Sequence, residues 1–113
     1  MPLKRVILEM GTGNDLHGGD YTNAALRAVQ DALRHSSLSM IRSLDLDPRA
    51  AQVEVTVGVQ QPDQVNAAKV KESLPLGQVK VNVVKGGLDL PSRDGHDQVV
   101  IASAAIAVRF EAP

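Results

Sequence analysis

Apolar and polar positions along the chain fall into alternating runs separated by one clear helical stripe. Residues 51–60 (AQVEVTVGVQ) alternate most regularly, with Val53, Val55, Val57 and Val59 facing one way. A period of two marks a strand with one covered face. Residues 3–10 (LKRVILEM) and 78–85 (QVKVNVVK) read as strands of the same kind, and 98–110 (QVVIASAAIAVRF) as a last strand that is apolar on both sides. Between the first two strands, Ala24, Ala25, Ala28, Val29, Ala32 and Leu33 recur at i, i+1, i+4, i+5, i+8 and i+9. That spacing predicts an amphipathic helix over about 21–36. Asp20 or Thr22 can cap it, and its alanines let the axis lie close to a sheet. Pro62 opens a second helix, roughly 62–74, that Pro75 and Gly77 end. Residues 11–20 and 86–97 read as loops, and SMIRSL (39–44) as a short helical piece between turns.

The resulting order, β-α-β-α-β-β, predicts a single α/β (α+β) domain over residues 1–113. Right-handed crossovers make the first three strands parallel and put both helices on one face. The last strand, apolar on both sides, belongs in the middle of the sheet. The twelve-residue stretch before it is long enough to cross a neighbouring strand. The expected sheet order is therefore 1-4-2-3, with strand 4 antiparallel. Alternation assigns Val6, Leu8 and Met10 to the helix-covered face, together with the valines of the second and third strands. It leaves Arg5, Ile7, Glu9, Glu54, Thr56, Lys80, Asn82, Val84, Ile101, Ser103 and Arg109 on a face that no helix covers. A half-apolar open face calls for a partner subunit.

Composition narrows the classes of function. There is no cysteine, which removes disulfides, thiolate metal sites and cysteine nucleophiles. The net charge is −1 and the aromatic residues are Tyr21 and Phe110. With neither a basic face nor stacking aromatics, nucleic acid is not an expected partner. No apolar run is long enough to span a membrane, and the first residues lack a signal-peptide pattern, so a cytoplasmic protein is expected.

Two loops collect the polar chemistry. Asp15, His17 and Asp20 lie in the first; Asp89, Arg93, Asp94, His96 and Asp97 lie in the second. Histidines and carboxylates are the parts of a general acid–base pair. The same residues also serve plain turns and caps. Parallel first and third strands bring both loops to one sheet edge, at the carboxyl ends where ligands of open α/β sheets bind. Their spacing follows no recognised metal pattern, so neither metal nor cofactor is expected. GTG at 11–13 lacks the third glycine of a dinucleotide loop. On the open face, Ser103 is either a small residue in a crowded strand or a nucleophile, and Glu54 and Arg109 are either an intersubunit ion pair or groups that bind an anion and serve as acid and base.

The segment GTGNDLHGGDYTNAALRAVQDAL (11–33) together with VVIASAAIAV (99–108) resembles a family of short bacterial and plant conserved hypothetical proteins. The element order and strand order resemble the Bacillus-type chorismate mutase fold. That resemblance implies a homotrimer with small-molecule sites in clefts between subunits. A more distant likeness is to the cyanuric acid hydrolase and barbiturase ring-opening amidohydrolases. It implies a serine at Ser103 and a lysine at Lys80 or Lys85. The leading expectation is a homotrimer with a small-metabolite site formed by His17, Asp15, His96 and Ser103, with Glu54, Arg93, Asp94 and Arg109 as ligand-binding groups. The alternative is a non-catalytic ligand-binding or structural oligomer.

Overall fold

The computed structural model describes residues 2–16, 18–34, 43–74, 77–93, 95 and 97–111, and among these residues five strands and two helices are defined. The strands are β1 (Leu3–Asp15), β2 (Gln52–Val59), β3 (Gln78–Lys85), β4 (Leu88–Pro91) and β5 (Gln98–Glu111); the helices are α1 (Tyr21–Arg34) and α2 (Ala67–Glu72). They form a mixed sheet of order β1-β5-β2-β3, with β4 paired to β5. β5 runs antiparallel to β1 and β2, and β2 runs parallel to β3. The expected order had no place for β4, because residues 86–97 read as a loop throughout. The chain leaves β3, passes the end of β2, and forms a short hairpin with the start of β5, where Leu88 pairs with Ile101 and Pro91 with Gln98.

The second helix is also shorter than its proline boundaries suggest. Residues 62–64 form a 3-10 turn, and Asn66 then caps α2 by accepting from the Lys69 N–H at 3.3 Å. An asparagine side chain competes with the helix for backbone donors, so it restarts the helix instead of continuing it. Residues 39–42 of the SMIRSL piece and the side chain of Val6 lie outside what the structure describes.

The core lies between the sheet and the helices. Val53, Val55, Val57 and Val59 of β2, and Val100, Ala102, Ala104, Ile106 and Val108 of β5, are buried there with the alanine stripe of α1. β1 departs from its expected pattern in two ways. First, it runs on through GTGND to Asp15, which had read as loop. Second, its faces are exchanged. Ile7 is buried at 5% exposure, whereas Leu8 and Met10 are open to solvent, Met10 at 64%. The cause is a register shift between Arg5 and Ile7: Arg5 pairs with Arg109 and Ile7 with Val108. Two steps on β1 match one on β5, so the strand carries an extra residue. One extra residue inverts the alternation of everything after it.

The extension of β1 exists because α1 lies on it. A Cβ on Gly11 would come within 2.4 Å of the Ala32 nitrogen, and one on Gly13 within 2.2 Å of the Ala28 nitrogen. Helix backbone therefore rests on strand backbone, with alanine on one side and glycine on the other. At this distance α1 also reaches the outer edge of β1. Asp31 accepts from the Thr12 N–H at 2.9 Å, and Arg27 donates to the Asn14 carbonyl at 2.6 Å. These bonds occupy backbone groups of an edge strand that would otherwise be open for pairing.

Gly13→Ala is expected to cost about 3 kcal/mol or more, because the added methyl overlaps helix backbone that has nowhere to go. Gly18→Ala, where φ is +84° and nothing lies within 4 Å, is expected to cost only the left-handed strain, about 1–2 kcal/mol. Urea denaturation of the two variants measures the difference. Equal losses would refute the close approach of α1.

Candidate functional site

The uncovered face of the sheet has a marked division. Leu8, Met10, Val84, Leu88 and Leu90 project from its β1, β3 and β4 strands as exposed apolar side chains. Met10 and Val84 line an open groove of about 680 Å³. Ser103 of β5 sits on its floor, exposed, with Thr12 of β1 and Gly58 of β2 as its register partners on either side. Met10, Thr56, Val84 and Lys85 form other parts of the wall. The groove ends where the chain crosses from β3 to β4. A Cβ on Gly58 would lie 3.3 Å from the Gly86 Cα, and one on Gly87 would meet the Ile101 carbonyl at 2.1 Å. Gly87 has φ +62°, a conformation that favours glycine. Gln60 secures the crossing by donating its side-chain amide to the carbonyls of Gly86 and Gly87, each at 3.1 Å.

At the other end of the same face, Arg109 and Glu54 form an ion pair at 3.3 Å within one chain, and Asn82 donates to the second Glu54 oxygen at 3.2 Å. They border a smaller depression of about 290 Å³ that Lys80 also lines. Lys80 and Ser103 therefore belong to separate depressions, whereas Lys85 and Ser103 share one.

The carboxyl edge of the sheet gathers the acidic residues. Asp15 and Asp89 flank Val100 as its register partners on β1 and β4. The buried Asp15 carboxylate accepts from the Asp20 N–H at 2.9 Å and the Asn23 side chain at 3.0 Å, with Arg27 at 3.5 Å. Asp20 in turn accepts from the Asn23 N–H at 2.9 Å. Asp15 and Asp20 thus fasten the first turn of α1 to the end of β1. Thr22, the other candidate cap, instead accepts from the Asn66 N–H at 2.9 Å. Tyr21, buried at the start of α1, donates its hydroxyl to Asp89; Gln98 donates to the same oxygen at 3.1 Å. The second Asp89 oxygen is buried without a hydrogen-bond partner. Burial, followed by the hydrogen bond and charge of Asp89, pushes the Tyr21 phenol from its ordinary 10.0 up to about 12.

The two segments expected at one edge do meet there: Asp15 and Asp89 flank Val100, and Tyr21, just after the first segment, bonds Asp89. Arg93 is exposed in the second of them; His17, Asp94 and His96 lie outside the described residues. Among the described residues, no three histidines or carboxylates gather as a metal site. Gly11 and Gly13 let the backbone of α1 pack on β1. Thr12 and Gly58 were not singled out as site residues, because their places beside Ser103 depend on strand register, and Tyr21 was not, because its partner Asp89 lies 68 residues away in the chain. Tyr21 alone left a signal, as the single tyrosine in an aromatic-poor chain.

These features define a small α+β protein with a helix-covered face and an open, grooved face. The chain belongs to the conserved hypothetical protein family Lin0512_fam, whose model matches residues 5–108. It is similar to the solved structure of an FtsZ-like protein of unknown function from Nostoc punctiforme PCC 73102. The two are 37% identical, with 99% of each chain covered and a TM-score of 0.86. No curated protein matches the chain. Among the described residues, no helix is long and apolar enough to cross a membrane.

The raised Tyr21 value has a consequence in alkali. Folding favours the protonated phenol, so its contribution is whole below pH 10 and is lost as pH rises through about 12. Tyr21→Phe leaves Asp89 short of a donor and is expected to cost about 1–3 kcal/mol near neutral pH. It should also flatten the fall in melting temperature across that alkaline window. Melting curves of both proteins against pH check this; parallel curves would count against the Tyr21–Asp89 bond.

Proposed function

We propose that the chain is a homotrimeric small-molecule-binding protein, in which open sheet faces meet and the Ser103 groove becomes a ligand site between subunits. The observation that carries this reading is the pairing of an exposed apolar surface with a polar-floored groove on one face. Leu8, Met10, Val84, Leu88 and Leu90 are large apolar side chains exposed on one face of the sheet, and a face that carries so many of them suits an interaction surface. The exchange of faces on β1 strengthens the case, since it adds Leu8 and Met10 to the open side. A groove of about 680 Å³ suits a small molecule. Its mouth is wide, so a neighbouring subunit is the natural means of excluding water from it.

A second reading, hydrolysis of a cyclic amide, is favoured by Ser103 and Lys85 lining the same groove. A serine nucleophile needs an adjacent base. No hydrogen bond joins Ser103 to one among the described residues, so in this reading the neighbouring subunit brings the base. Release of ring-opened product from barbituric acid, abolished by Ser103→Ala, is the result this reading requires.

For assembly, light scattering of the native protein is expected to give about three times the monomer mass. Met10→Asp should lower that mass while the circular dichroism spectrum stays native, because Met10 is exposed in the single chain. A trimer indifferent to Met10→Asp would place the interface elsewhere, and a native monomer would end the proposal.

A further inference from the structure

The polar groups around the Ser103 groove are unequal in what they leave available. Asp31 and Lys85 are the charged residues that line it. Asp31 is engaged, with an oxygen on the Thr12 N–H at 2.9 Å. The carbonyls of Gly86 and Gly87 at the rim are engaged as well, by the Gln60 amide. Lys85 is exposed and makes no ion pair among the described residues. The hydroxyls of Thr12, Thr56 and Ser103 complete the set. Asp31 and the two rim carbonyls thus each hold a partner within the chain, whereas the Lys85 ammonium and the three hydroxyls can turn to a ligand.

We infer that the groove takes a small carboxylate with an apolar body, its anionic end on Lys85 and the hydroxyls and its body on Met10, Val84 and Ala105. This rests on the small-molecule reading of the same groove. Among the described residues Lys85 is the one cation that lines the groove, and one ammonium matches the single charge of a carboxylate. Glycine at 58, 86 and 87 leaves no side chain between ligand and backbone at that end. The apolar wall offers no hydrogen bond, so it selects for hydrocarbon or ring in the remainder of the ligand.

Three probes of one shape and different charge test the inference: benzoate, benzamide and benzylamine. Each is titrated into the native protein while the amide resonances of Thr12, Thr56, Gly58 and Ser103 are followed by NMR. Light scattering of the same samples tracks assembly. Benzoate is expected to shift these resonances at the lowest concentration. Lys85→Gln should weaken it by about tenfold, the loss of one charge-assisted contact, and Lys85→Arg should retain it. Neither substitution should move the melting temperature, because the side chain is exposed. Equal response to all three probes, or benzoate binding indifferent to Lys85→Gln, overturns the carboxylate assignment and leaves the small-molecule site standing. No response at these amides to any probe overturns the site itself and the inference with it.

Discussion

Backbone-to-backbone contact between α1 and β1 is the constraint on which the other features depend. Gly11 and Gly13 have no side chain because Ala28 and Ala32 leave no room for one. The helix can therefore sit low enough for Asp31 and Arg27 to bond the strand's outer edge. That anchors β1 past Met10 and carries it to Asp15. Asp15, held at the strand's end, then fastens the first turn of the helix that lies on it. Strand, turn and helix hold one another in place. Small residues are needed on both partners, since one larger side chain on either would lift the helix and break the edge contacts.

The second economy of glycine is at the crossing from β3 to β4. Gly58, Gly86 and Gly87 let the chain pass the end of β2 at van der Waals distance. Without that passage β4 could not pair with β5, and the uncovered face would lose Leu88 and Leu90. The groove around Ser103 has its end wall made by this crossing. Both functional readings of the open face thus rest on where backbone comes close to backbone.

At the carboxyl edge, the acidic residues are committed to structure in differing degrees. Asp15 and Asp20 spend their oxygens on the start of α1. Asp89 holds Tyr21 and Gln98 on one oxygen and keeps the other buried and unpartnered. A buried acceptor without a donor is costly, and the Tyr21 bond offsets part of that cost by tying the β4–β5 hairpin to the helix.

Much of the architecture was legible in the residues. The alternating valines of β2 and β3, the alanine stripe of α1 and the two-sided apolar run of β5 each follow one local period, and a local period is what a sequence displays. The meeting of the two loops at one edge followed from connection handedness. The face of β1 was not legible, because a single extra residue between Arg5 and Ile7 is set by pairing with β5 and leaves no mark in composition. β4 was hidden for a related reason: LDLP is too short to show a period, and only the β5 edge makes it a strand. The partition of lysines between two depressions was likewise decided by register across β2, β3 and β5. By itself, then, the sequence determined the main strands, the first helix and the core that β2, β5 and α1 share, since these depend on neighbours along the chain. Which apolar residues face water, and which polar groups share a groove, only the tertiary structure decided, because those depend on strands paired across tens of residues.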